Sequence, residues 1–204
     1  MRKLITVIAA GCICALCMAA PPENRHSVRV GWGDMLFETL AFHASAPGNY
    51  NPAALPADYQ WTGTYDHKYT GHIFGEYMYS LTSVTSIGIQ ADFEGIFWKQ
   101  GHKENFKQVN NYNLTLLPTV RFTYLRTEWV NLYSSVSLGL LMAFDNQRQF
   151  EVAPALNLNM IGIRVGRQHW GGFFELGALT ALRDTNNIYM FGSRLVSVGV
   201  NYCW

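Results

Sequence analysis

The chain contains 204 residues, of which 49% are hydrophobic, 15 are basic and 14 are acidic. This even charge balance excludes the strongly basic surface that nucleic-acid binding requires, and the length corresponds to a single domain. Beyond residue 20, no apolar stretch reaches the ~20 residues that a membrane-spanning helix needs, which excludes a helical membrane protein.

The N-terminal segment has the pattern of a secretory signal peptide. Two basic residues precede an uncharged apolar run that ends in a pair of alanines. We therefore predict a signal peptide over residues 1–20 and one domain over residues 21–204. Three of the four cysteines would leave with the signal, so Cys203 would be the last thiol and no intramolecular disulfide could form.

Apolar and polar residues alternate with period two along most of the remaining chain. Successive side chains of a strand point to opposite faces, so this pattern predicts a sheet with one apolar and one polar face. Each predicted strand is long enough to cross hydrocarbon at a tilt, and an even number is typical of bacterial barrels. The eight strands are predicted at residues 27–42, 69–81, 84–98, 109–124, 130–144, 150–165, 170–182 and 193–204.

Some positions depart from the alternation. The first strand changes parity at Gly33-Asp34, where we expect a β-bulge, and the sixth changes near Ile161-Gly162-Ile163. In the second strand Tyr69 is predicted to face outward. In the fourth strand Leu117 is the one apolar residue on the polar face.

The predicted connections alternate between short and long. Short turns are expected near 81–83, 125–129 and 166–169, and longer loops at 43–68, 99–108, 145–149 and 183–192. In outer-membrane barrels the short turns are periplasmic and the long loops extracellular. The pattern therefore predicts that both termini lie in the periplasm.

The polar faces carry charges of both signs. An eight-stranded barrel is only wide enough for side chains to fill its middle, and buried charges must be paired. We therefore predict a plugged, ionic and hydrogen-bonded lumen, with a substrate channel as the alternative. Its members are predicted to be Arg29, His72, Glu76, Gln90, Asp92, Glu94, Arg121, Glu175 and Asn201.

An enzymatic site is a weaker hypothesis. His43 and Ser45 lie two residues apart, hence on one face of an extended segment, and some small outer-membrane barrels that acylate or deacylate lipid A use such groups. No acid is placed by sequence to orient the imidazole. No histidines or acidic residues have the spacing of a metal site, and we predict neither metal nor cofactor.

Three segments carry a family resemblance. Residues 150–159 (FEVAPALNLN), 162–166 (GIRVG) and 173–177 (FFELG) resemble the small outer-membrane β-barrel proteins of Bacteroides-like bacteria. The resemblance implies an all-β, eight-stranded antiparallel up-and-down transmembrane β-barrel.

The resemblance also bears on insertion by the barrel-assembly machinery. Many relatives end in Tyr-x-Phe, whereas this chain ends in Tyr202-Cys203-Trp204. The resemblance implies an assembly signal formed by Val200, Tyr202 and Trp204.

The leading functional hypothesis is a monomeric outer-membrane barrel with a structural or surface-interaction role through its loops. Its partners would be outer-membrane lipid, lipopolysaccharide and the barrel-assembly machinery, and not nucleic acid. One alternative is a lipid A-modifying barrel enzyme. Another is a soluble periplasmic barrel that binds a ligand inside, which would need an apolar lumen.

Overall fold

The computed structural model describes residues 23–34, 63–102, 105–146, 150–181 and 194–204. They form eight strands: β1 (His26–Asp34), β2 (Gly63–Ser80), β3 (Thr85–His102), β4 (Asn105–Arg126), β5 (Val130–Asp145), β6 (Phe150–Arg167), β7 (Trp170–Ala181) and β8 (Arg194–Cys203). Each strand pairs antiparallel with its sequence neighbours, and β1 also pairs with β8, so the sheet is closed. The predicted eight-stranded antiparallel up-and-down barrel is confirmed.

Closure depends on the seam between β1 and β8. In this ladder Val30 lies opposite Val200 and Trp32 opposite Val198. His26 and Trp204 exchange backbone hydrogen bonds of 3.0 and 2.9 Å at its end. The seam removes the two sheet edges that an open meander would leave unpaired. In the described ranges, no helix is long and apolar enough to cross a membrane.

The short turns occur where they were predicted, at 81–84, 127–129 and 168–169. The predicted loop at 99–108 is wrong, because β3 continues to His102 and β4 begins at Asn105, where these two residues pair. Similarly, β2 begins at Gly63, inside the predicted loop 43–68. Where a strand extends beyond the apolar surroundings, neither of its faces needs to be apolar. The alternation of apolar and polar residues therefore ends before the hydrogen-bonded pairing of the strands ends.

The predicted irregularities have different outcomes. The change in β6 is confirmed, since its register with β7 shifts between Asn159 and Ile161. In β1, Gly33 and Asp34 are both buried, so the parity does change there. The register with β8 continues without a shift as far as Asp34, so the change occurs without the predicted β-bulge in this pairing. Residues 35–42 of the predicted first strand lie outside the described residues.

The outward orientation predicted for Tyr69 is wrong. The register of β2 shifts between Tyr69 and His72, and Tyr69 is buried beside Ile96. Gly71 lies within the shift at φ = 70°, a left-handed conformation that glycine adopts without strain. The Trp32 ring covers this glycine, and Trp32 Nε1 donates to the Thr70 carbonyl at 2.9 Å. A local backbone change therefore reverses the parity of β2 ahead of His72.

The two faces of the closed sheet differ in chemistry. Valines, leucines, isoleucines and aromatic residues cover the outer surface; for example, Val200 is 56% exposed and Leu138 is 59% exposed. The inner face carries arginine, carboxylate, amide and hydroxyl side chains that are almost fully buried. The distribution is therefore the reverse of that in a water-soluble barrel.

Candidate functional site: the barrel lumen

The lumen is the candidate site because it concentrates buried charges contributed by most of the strands. All nine predicted lumen residues are buried, at no more than 8% exposure. They do not form one cluster. Eight of them fall into two networks, whereas Asn201, which lies opposite Arg29 in the β1–β8 ladder, forms its hydrogen bonds with Arg164 and Cys203.

The first network, called here the Arg29 network, consists of Arg29, Glu76, Arg121, Glu175 and Tyr133. Arg29 and Glu76 are directly opposite each other in the β1–β2 ladder, which brings their side chains together inside. Arg29 donates to Glu76, to Glu175 at 2.5 Å and to the Tyr133 hydroxyl at 2.7 Å. Arg121 also donates to Glu76. The network thus links five strands, β1, β2, β4, β5 and β7, across the lumen.

Hydroxyl groups and rings complete this network. The Tyr133 and Ser197 hydroxyls donate to Glu175 at 2.9 and 3.2 Å. The Arg29 guanidinium lies 4.6 Å from the centre of the Phe173 ring, and that of Arg121 lies 4.7 Å from the Tyr133 ring. Stacking on an aromatic face and bonding to a carboxylate together compensate a guanidinium for its lost hydration.

The second network, called here the Asp92 network, lies closer to the end of the barrel opposite the short turns. It consists of His72, Asp92, Glu94, Asn113 and Arg194. Asp92 accepts from Arg194 at 2.6 Å and lies 2.6 Å from His72 Nδ1. The other imidazole nitrogen is 3.6 Å from Glu94, which accepts from Asn113 at 2.7 Å. This network joins β2, β3, β4 and β8.

Gln90 connects the Asp92 network to β6. Its amide lies 3.2 Å from that of Asn157 and 3.0 Å from Arg194 Nη1, an arrangement in which the Gln90 oxygen accepts from the guanidinium. The Arg194 guanidinium also lies 4.3 Å from the centre of the Phe74 ring. Polar partners and aromatic packing therefore surround this cation as they surround Arg29.

Sequence reasoning missed Arg194. It shares its even parity with outward-facing Val198 and Val200, but the register of β7 with β8 shifts between the pairs that contain Val196 and Arg194. The shift turns Arg194 inward, where it is 3% exposed. The sequence did contain one indication of this orientation: Arg194 shares its parity with valines, and an arginine on a lipid-facing surface costs free energy.

Part of the lumen is apolar, although the sequence predicted only polar residues there. Leu117, Leu141, Ala155 and Leu179 form a buried cluster on the adjacent strands β4 to β7. Leu117, the exception in the alternation of its strand, therefore does face inward. It packs against other inward leucines instead of hydrogen-bonding.

At the turn end, the lumen opens into a cavity of about 420 Å³. Arg29, Arg121 and Tyr133 of the Arg29 network form part of its lining. Arg164 Nε donates to Asn201 Oδ1, and Asn201 Nδ2 donates to Cys203 Sγ at 3.2 Å. Asn201 is thus a cavity residue that holds Arg164 in place.

The weak catalytic candidates His43 and Ser45 lie outside the described residues. Within the described residues, no group of three or more His, Cys, Asp or Glu side chains could hold a metal ion. The carboxylates of the Arg29 network are each bonded to a guanidinium. Such an arrangement cross-links strands rather than presenting a reactive group.

The assembly-signal residues Val200, Tyr202 and Trp204 all lie on the outer surface. Tyr202 stacks with Trp204 at 5.7 Å between ring centres and contacts the Trp170 ring at 4.9 Å. Whether they act as a recognition signal stays a prediction.

A closed eight-stranded sheet with an apolar outer wall and paired charges inside defines the class of this protein, a small β-barrel of the outer-membrane type. No protein-family model and no curated protein matches the chain. Among solved structures, it is similar to the N-terminal β-barrel domain of Pseudomonas aeruginosa OprF. The TM-score is 0.47 with 11% identity, over 89% of this chain and 100% of that one, a likeness of fold.

Proposed function

We propose that this chain is an integral outer-membrane β-barrel with a structural or surface-interaction role, and that its lumen is plugged. The observation that carries the proposal is the continuous apolar outer surface. Water-soluble monomers rarely expose apolar patches larger than a few hundred Å². Hydrocarbon around the wall would satisfy this surface, while the closed ladder satisfies the backbone.

Two aromatic belts support the membrane location. Near the turns, Trp204 stacks on His26 at 5.6 Å, and Tyr202 and Trp170 continue the belt. Near the other end, the Tyr112 ring lies 5.6 Å from Phe144 and 5.7 Å from Phe97. Aromatic girdles of this kind mark the two membrane–water interfaces in transmembrane barrels.

The separation of the belts fits a bilayer. Tyr112 and Tyr124 are twelve residues apart on β4, and the outward residues between them are apolar. At ~3.4 Å per residue and a strand tilt of ~45°, this segment spans about 29 Å along the membrane normal. The hydrocarbon core of a bilayer is ~30 Å thick.

The soluble ligand-binding alternative is disfavoured by the same surface. A soluble barrel would bury its apolar face around the ligand and expose its polar face. Here the buried positions of β3 carry Gln90, Asp92 and Glu94, and its exposed positions carry Ile87 and Ile89. The enzymatic alternative has no supporting observation among the described residues.

The plug rests on the two ionic networks and the apolar cluster, which occupy the lumen between them. Buried ion pairs with additional hydrogen bonds hold such side chains in one arrangement. We further propose that the barrel is monomeric and that the barrel-assembly machinery inserts it. Its short turns would lie on the periplasmic side, and its outer surface would contact lipopolysaccharide. The affiliation with barrels of Bacteroides-like bacteria is part of it and rests on the sequence segments alone.

Membrane fractionation followed by a gel-shift assay tests the proposal. The protein is expected to resist extraction by carbonate, to require detergent, and to migrate differently before and after boiling. Release by carbonate without detergent would contradict the membrane location. In planar bilayers the refolded protein is expected to show no steady conductance, and stable openings would contradict the plug alone.

A further inference from the structure

The cavity at the turn end, called here the vestibule, has a cationic wall that the plug does not use. Its volume is about 420 Å³. The floor includes Arg29, Arg121 and Tyr133, and the wall includes Arg126 and Arg164. We propose that the vestibule binds the phosphate group of a small anion between Arg126 and Arg164.

The two wall arginines differ from the two floor arginines in their charge partners. Arg29 and Arg121 are neutralised from below by Glu76 and Glu175. Within the described part of the chain, neither Arg126 nor Arg164 forms an ion pair. Both guanidinium groups line the same cavity, so their like charges repel each other. A bound anion would turn this repulsion into two attractions.

The acidic residues of the lining do not cancel this charge. Glu128 is paired with Arg167 at 2.7 Å, with both side chains more than half exposed. Glu23 also borders the cavity and is solvent-exposed. Water screens an exposed carboxylate, so its effect on a guanidinium inside the cavity is small.

The register of three strands sets the spacing of the wall. Arg126 lies opposite Asn131, which in turn lies opposite Arg164. The two arginines are therefore in one row, two strands and about 10 Å apart at the backbone. Long side chains from such positions can reach a group of phosphate size between them. Asn131, which also lines the cavity, lies between them.

The remaining donors suit phosphate. Arg164 donates from Nε to Asn201 Oδ1 and from Nη2 to the Gln168 carbonyl at 3.3 Å. These bonds fix the plane of its guanidinium group and leave Nη1 available to donate to a ligand. The buried Nε of Arg121 also has no acceptor. Guanidinium groups bind phosphate through paired N–H···O bonds. Donors of Arg121 and Arg126 on β4 and of Arg164 on β6 can thus contact several oxygens of one tetrahedral anion.

Calorimetric titration of the refolded full chain in phosphatidylcholine nanodiscs tests the proposal, with inorganic phosphate as the probe at constant ionic strength. Wild-type protein is expected to bind phosphate, and Arg126→Gln and Arg164→Gln are each expected to weaken binding about tenfold or more. The matched control is Arg167→Gln, an arginine at the same end that is paired with Glu128 and does not line the cavity, and it is expected to bind as wild type. The boiling-dependent gel shift verifies that each variant is folded.

Three results would overturn the proposal: no phosphate binding by the wild type, equal binding by Arg126→Gln, or equal weakening by Arg167→Gln. Succinate serves as a dicarboxylate comparison, and binding as tight as that of phosphate would refute the ligand class. Replacing part of the lipid by phosphatidic acid distinguishes the sources. Competition with phosphate in the wild type would identify a lipid headgroup, and unchanged binding would identify a soluble phosphate.

Discussion

Replacing Arg29 by methionine is expected to destabilise the barrel more than any substitution of an exposed charge. The change keeps an unbranched apolar stem but removes the guanidinium and with it three hydrogen bonds, to Glu76, Glu175 and Tyr133. Glu76 would retain Arg121 as a partner. Glu175 would keep only the hydroxyls of Tyr133 and Ser197 and would become a buried carboxylate without a cation bonded to it.

The expected cost follows from that orphaned carboxylate. Removing one partner of a buried ion pair typically costs about 3–5 kcal/mol, because the other charge is left uncompensated. Adding Glu175→Gln to Arg29→Met removes the orphaned charge. The double variant is therefore expected to recover about 1.5–3 kcal/mol relative to the sum of the two single variants, the range for hydrogen bonds to charged groups.

Urea titration of the protein refolded into lipid vesicles, read out by the boiling-dependent gel shift, measures these free energies of unfolding. Arg167→Met is the control, because its pair with Glu128 is exposed and is expected to contribute less than about 1 kcal/mol. A loss below about 1 kcal/mol for Arg29→Met would refute the argument. So would strict additivity of Arg29→Met and Glu175→Gln, since these side chains would then not be coupled.

Other substitutions test the packing, the outer surface and the hydroxyl bridge. Gly139→Ala is expected to cost about 3 kcal/mol or more, because the new Cβ would lie 1.9 Å from the Leu116 carbonyl oxygen, whereas Gly75→Ala, with its nearest atom at 3.9 Å, should change unfolding by less than about 0.5 kcal/mol. Leu138→Arg, on the outer wall, is expected to lower the free energy of unfolding in vesicles by about 2–4 kcal/mol. If the variant and the wild type unfolded at the same urea concentration, Leu138 would not face lipid. Tyr133→Phe removes hydrogen bonds of 2.7 and 2.9 Å and should lower the free energy of unfolding by about 1–3 kcal/mol, while an unchanged value would show that the hydroxyl is dispensable.

The regular parts of the fold could be predicted because each strand separates two chemically different environments. In β4, Leu116 and Phe122 alternate with Thr115, Thr119 and Arg121, and this alternation alone fixes which residues face inward. The order of the strands follows from their short turns. The strand ends beyond the apolar wall could not be predicted, because both faces of a strand in water are polar.

The partners inside the lumen could not be predicted to the same degree. Arg194 faces inward only because β7 and β8 change register, and Tyr69 only because of the left-handed Gly71. Both depend on pairing and backbone conformation, which a single strand pattern does not contain. Similarly, parity predicts that Glu76 and Glu175 share the lumen, but not that Arg29 connects them.

The connection between Arg29 and Glu175 has a consequence for the kinetics of folding. The two residues are separated by 146 positions along the chain, and they lie on β1 and β7, with β8 between them. A contact of this kind forms only after the entropy of closing a very long loop has been lost. The charged side chains should therefore stay hydrated through most of assembly, and their dehydration should be among the last events, slower than formation of the individual hairpins.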